Sequence, residues 1–154
     1  MNRNEKESFF FGSVFLLANQ LQIWGDSIIP TLSTKQFMLL IFIYKIGIEN
    51  PTLKEVSDFT GTSRQNVKKM LERLEVLGYV SLTRSETDAR ALSVSLTNKA
   101  DEFFDKHDQA STEALTGLFL NISDNELDAA IETVSKLFQN LNFPNTGEQS
   151  KVAK

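Results

Sequence analysis

The chain has no cysteine, one histidine, one tryptophan and three prolines among its 154 residues. Without cysteine there are no disulfides, no thiolate metal ligands and no thiol redox sensor, which suits a reducing compartment. With one histidine and no cluster of carboxylates at ligand spacing, no metal site is expected. The seven glycines are scattered, so no glycine-rich loop can cradle a phosphate. No nucleophile–base pair is visible either, and neither catalysis nor a cofactor is expected. Long apolar runs are also scarce. Phe9–Trp24 is broken by Asn19, Gln20 and Gln22, and neither it nor Phe37–Ile48 is long and clean enough to cross a bilayer. Glu5 and Glu7 stand where a secretory signal would be basic, and no small-residue cleavage site follows. A cytoplasmic protein with no membrane association is the expectation.

What is present is a globular composition, with 41% hydrophobic residues and enough length for one domain with a helical extension. The net charge is −4, yet the distribution is uneven. Between Thr60 and Arg90 six basic residues (Arg64, Lys68, Lys69, Arg73, Arg84, Arg90) face four acidic ones (Glu72, Glu75, Glu86, Asp88). After that point there are five basic and ten acidic side chains. A mildly basic middle is thus backed by an acidic C-terminal part.

Hydrophobic spacing and capping signals divide the chain. A first helix is expected over roughly Lys6 to Trp24, apolar almost all the way round. Such a helix must be covered on several sides, so we expect it to form a dimer interface; a central core helix is the alternative. Gly25–Leu32 reads as a connector. Capping boxes at Ser33/Gln36, Thr52/Glu55 and Ser123/Glu126 open the second, third and sixth helices. Gly61 supplies a turn, Ser63 caps a fourth helix over 63–77, and Gly78 suits its left-handed end. Two alternating strands follow (YVSLTR and ALSVSLT), joined by a charged tip. Thr97 is expected to cap a fifth helix.

The order from Thr52 to Thr97 is helix, turn, helix, hairpin, a winged helix-turn-helix. The fold class is therefore mainly α with a small antiparallel β wing and a helical dimerisation region. We divide the chain into a dimerisation helix and connector (1–31), a DNA-binding lobe (32–97), C-terminal dimerisation helices (98–143) and a disordered tail (144–154).

In the fourth helix Val67, Met70, Leu71, Leu74 and Leu77 form one apolar stripe. Opposite lie side chains that read base edges, since amides pair with adenine and basic groups with guanine. Gln65 is central with Lys69 one turn on, and Asn66 is in the first turn beside the cap Ser63. Arg64, Lys68 and Arg73 flank this face and suit phosphates. In the hairpin, arginines Arg84 and Arg90 can enter a narrow minor groove, and Asp88 can fix a guanidinium through a charge-assisted pair. Each feature also has a plainer reading, a solvated helix face and a surface salt bridge. His107 falls on the apolar stripe of the fifth helix and reads as an interface histidine; pH sensing or ligand contact is its other reading.

Three motifs give these residues a family resemblance. They are Leu32-Ser33-x-x-Gln36-Phe37, Leu74-Glu75-x-x-Gly78-Tyr79-Val80, and Asp88-x-Arg90 followed after a strand by Leu96-Thr97. In this order and spacing the chain resembles the MarR-type winged-helix transcriptional regulators. The resemblance implies a homodimer joined by its first, fifth and sixth helices. Each copy would set its fourth helix in the major groove and Arg90 in the minor groove. It also implies repression relieved by a small anionic or phenolic effector. Two positions depart from the family pattern: Ala89, where relatives often carry a second basic residue, and Ala100, where they often carry glycine. The functional expectation is a dimeric regulator of a pseudo-palindromic double-stranded DNA operator. A winged helix that docks proteins, or an enzyme with an embedded winged helix, are the rivals.

Overall fold

A computed structural model describes residues 1–86, 88 and 90–143. The expected disordered tail (144–154) and the departure at Ala89 lie outside the described residues. The chain divides into two compact units, Met1–Met38 and Leu39–Lys154.

In the first unit, α1 spans Arg3–Ile28, longer at both ends than the sequence suggested. Asn2 and Glu5 form a reciprocal capping box that starts it, so two of the exposed N–H groups of its first turn are satisfied. At its far end Gly25 lets the next segment come close: a Cβ there would lie 2.4 Å from the Thr34 hydroxyl. Thr34 donates that hydroxyl to Asp26 at 2.7 Å and its backbone N–H to the same carboxylate oxygen at 2.6 Å. These bonds hold the Asp26 carboxyl below its usual pKa, the backbone bond most strongly. No residue of α1 is buried, and Phe9, Phe11, Phe15, Leu16 and Leu17 are exposed.

Helix α2 (Thr34–Lys45) opens on the expected Ser33/Gln36 box. In the second unit α3 (Leu53–Thr60) and α4 (Arg64–Val76) form the helix-turn-helix. Strands β1 (Val80–Arg84) and β2 (Leu92–Leu96) pair antiparallel with Leu82 opposite Val94. Thr52 adds a bridge to Ser93 on the outer side of β2. The chain then runs through α5 (Asn98–Leu118) and α6 (Asp124–Asn140). The core of this unit is Leu39, Leu40, Ile43, Val56, Val67, Leu71, Leu74, Val80, Val94, Ala100 and Phe103. Ala100 is fully buried, and as alanine it favours the helix that glycine would weaken.

One cap differs from expectation. Thr97 occupies the N-cap position of α5 but makes no side-chain cap bond. Its hydroxyl donates instead to the carbonyl of Gly78, which lies at the end of α4 where helix carbonyls lack partners.

Candidate nucleic-acid interface

The position of α4 is set by its two ends. Thr52 and Glu55 cap α3 reciprocally, and Gly61 ends that helix in the left-handed region at φ 65°, where glycine has no Cβ penalty. Ser57 donates its hydroxyl to the carbonyl of Thr62 at 2.6 Å, which closes the turn. Ser63 then accepts the backbone N–H of Asn66 at 3.3 Å. From this fixed start, Val67, Leu71 and Leu74 are driven inward and completely buried, which leaves the other face in solvent.

Every residue expected to meet DNA from α4 is exposed: Ser63, Arg64, Gln65, Asn66, Lys68, Lys69 and Arg73. At 100° per residue Gln65 and Lys69 fall opposite the buried stripe. Arg64, Lys68 and Glu75 share one edge of that face, and Asn66 and Arg73 share the other. Lys68 makes an ion pair with Glu72 at 3.6 Å, both side chains about half exposed, so the pair is weak and readily exchanged for a stronger anion. Gln65, Lys69, Arg64 and Arg73 make no ion pair among the described residues.

At the C-terminal end of α4, Gly78 takes φ 82°. Lys99, from α5, donates to the Leu77 carbonyl at 2.7 Å and lies over the Tyr79 ring. A cation at a helix C-terminus is favourable to the helix dipole. Tyr79 is buried and meets Phe103 edge to face at 5.1 Å. The start of the hairpin is thereby tied to α5.

Arg84, Asp88 and Arg90 are all exposed on the hairpin. Among the described residues Asp88 makes no ion pair with Arg84 or Arg90. The Asp88 carboxylate accepts the backbone N–H of Arg90 at 2.9 Å, while the Asp88 carbonyl accepts the N–H of Ala91. A short acidic side chain bonding the backbone two residues on closes a tight turn. Arg84 borders a polar hollow of about 630 Å³ that Glu49, Glu55 and Glu86 also line. The hairpin therefore presents Arg90 outward and Arg84 beside carboxylates.

Two further features lie away from this face. His107 is half-buried and packs on Phe103 with ring centres 4.5 Å apart. A second hollow, about 430 Å³, lies among Phe42, Phe59, Thr60, Phe138, Leu141 and Phe143. The Phe143 ring occupies the space a Cβ at Gly61 would need. No motif in the sequence pointed to this hollow, because its walls come from three separate helices.

Among the described residues there is no group of acidic or histidine side chains able to hold a metal. No described helix is long and apolar enough to cross a membrane.

Residues 31–91 match the family model described as MarR family. Over 105 residues the chain is 29% identical to the transcriptional repressor MprA of Escherichia coli (strain K12), covering 68% of this chain and 60% of that protein. The chain thus matches less than two thirds of the length of that curated relative. Its fold superposes with a TM-score of 0.77 on an organohalide-sensing transcriptional regulator in its 2,4-dichlorophenol-bound form, at 19% identity, covering 95% of this chain and 90% of that one. The MepR–DNA complex of S. aureus gives a TM-score of 0.73 at 15% identity, covering 85% of this chain and 97% of MepR.

Proposed function

We propose that this chain, whose residues 31–91 match the MarR family model, is a MarR-family, sequence-specific regulator of double-stranded DNA, acting as a repressor. The observation that carries this reading is the exposed face of α4. Gln65 and Lys69 stand opposite a fully buried stripe, with basic residues along both edges and an outward Arg90 on the adjoining hairpin. Gln65, Lys69 and Asn66 read bases in the major groove. Arg64, Lys68, Arg73 and the Ser63 hydroxyl fix register on phosphates, and Arg90 enters the minor groove with Arg84 at its margin. MepR has been captured on DNA, and its fold is shared here.

The active species in this reading is a homodimer. Helix α1 exposes phenylalanines over several turns, Phe9 at 68% and Phe15 at 61%, far more apolar surface than an isolated subunit leaves in water. Ile131 on α6 and Leu141 at its C-cap are similarly exposed. Residues 1–31 and 98–143 clasp two copies, and two lobes of 32–97 address half-sites about 10–10.5 bp apart.

An effector is the remaining part of the proposal. The organohalide-sensing regulator carries 2,4-dichlorophenol. In this chain the 430 Å³ hollow is walled by aromatic and aliphatic side chains, with the Thr60 hydroxyl beside them. That volume and lining suit a small neutral or phenolic ring, and among the described residues no cation lines it.

The test is a titration of duplex DNA from around the protein's own gene, repeated at several salt concentrations. A regulator gives saturable binding whose log affinity falls by about 0.9 per phosphate neutralised for each log unit of salt. No binding at low salt would assign the winged helix to protein docking instead.

A further inference from the structure

The hairpin is joined to α4 by three residues with Gly78 at their centre, and Gly78 adopts φ 82°. Glycine suits the left-handed φ there. The turn itself is closed by the Gly78 N–H on the Glu75 carbonyl, the Tyr79 N–H on the Leu74 carbonyl and the Thr97 hydroxyl on the Gly78 carbonyl; none of these bonds reaches β1. Something must set the angle between the reading helix and the wing, or the two could not meet adjacent grooves in one fixed pose.

The ladder points to one bond that does so from within the strand. Tyr79 accepts the Thr97 N–H, and Ser85 donates to Ala91, at the two ends of the β1–β2 pair. In an antiparallel ladder hydrogen-bonded pairs alternate. With the register summing the same throughout, the odd-numbered residues of β1 bond to β2. The even-numbered ones, Leu82 among them, turn their N–H groups away from it. The outward N–H of Leu82 is taken by the Glu75 carboxylate, at 2.7 Å. Glu75 lies in the last turn of α4, on the edge shared with Arg64 and Lys68. One carboxylate thus reaches across the Gly78 turn from helix to strand, two residues short of Arg84.

We propose that Glu75 is a positioning residue for DNA recognition: it braces the wing against the reading helix so that Arg90 and the Gln65–Lys69 face meet the duplex together. This rests on the DNA-binding reading above. A bond to a charged acceptor is among the stronger hydrogen bonds, and it replaces water at an otherwise open strand edge.

The test compares wild type, Glu75→Gln and Glu75→Ala, alone and combined with Arg90→Ala, on one operator duplex. Both single substitutions remove the same negative charge, but glutamine keeps an acceptor oxygen. The brace predicts roughly tenfold weaker binding for Glu75→Ala, near wild-type binding for Glu75→Gln, and little further loss when Glu75→Ala is added to Arg90→Ala. Hydrogen exchange at the Leu82 amide gives a readout independent of DNA: it is slow in wild type and Glu75→Gln and fast in Glu75→Ala. Equal effects of Gln and Ala, full additivity with Arg90→Ala, or Leu82 exchange equally fast in all three proteins would each overturn the proposal. If wild type binds no duplex while Leu82 is protected only where residue 75 offers an acceptor, the brace stands and the DNA-binding reading on which its role rests is what fails.

Discussion

The hydroxyl of Thr97 donates to the carbonyl of Gly78 at 2.7 Å, across 19 residues of sequence. The Thr97 N–H also reaches the carbonyl of Tyr79. One residue therefore ends β2, starts α5 and holds the end of the reading helix. Thr97→Val keeps the shape and removes the donor, leaving a part-buried carbonyl unpaired, so it should cost about 1–3 kcal/mol of stability. Thr97→Ser should retain most of the wild-type value. Urea unfolding checks both, and equal stability of Thr97→Val and wild type would mean that water replaces the hydroxyl without loss.

Base readers and phosphate contacts should separate in binding data. Gln65→Ala and Lys69→Ala are expected to alter the ranking of single-base operator variants, each by about 1–3 kcal/mol at the position read. Arg64→Ala and Arg73→Ala should weaken all duplexes alike and reduce the salt slope by about one phosphate each. A uniform loss for Gln65→Ala would move that residue to the backbone contacts.

Glu55 carries a pH dependence. Its carboxylate accepts the backbone N–H of Thr52 at 2.7 Å and the Thr52 hydroxyl at 2.8 Å. These bonds hold its pKa below the ordinary glutamate value, the backbone bond contributing most. Because the folded value is the lower one, the cap's stabilising contribution is complete above the ordinary glutamate pKa and is lost as pH falls through the folded value. Carboxyl NMR titration should place Glu55 below the ordinary glutamate value. Thr52→Ala should bring Glu55 back toward the ordinary range and flatten the acid limb of the stability curve. An unshifted Glu55 in wild type would contradict the capping geometry.

Local chemistry made much of this fold legible. The boxes at Ser33/Gln36, Thr52/Glu55 and Ser123/Glu126 each need only a three-residue spacing, and all three form. The buried stripe of α4 followed from helical periodicity, and the exposure of Gln65 and Lys69 followed from it in turn. Long-range choices were not legible. Thr97 has the composition of a cap, but tertiary packing offers its hydroxyl a better-placed acceptor in Gly78. Asp88 could pair with a guanidinium or with a backbone N–H, and composition alone does not distinguish them; the carboxylate accepts the Arg90 N–H. The Asn2/Glu5 box lay outside the apolar run that marked the first helix, so α1 begins earlier than its hydrophobic pattern. The Glu75–Leu82 bond depends on strand parity, which only the paired register reveals.

The central claim is that two copies act together on one DNA site, and the mass of the complex tests it most directly. Sedimentation of the protein with a single operator duplex should give two chains per duplex, and the free protein should sediment as a dimer. Phe15→Glu in α1 should yield a single chain with sharply reduced affinity. A wild-type complex holding one chain per duplex, or a free monomer that binds with full affinity, would contradict the account.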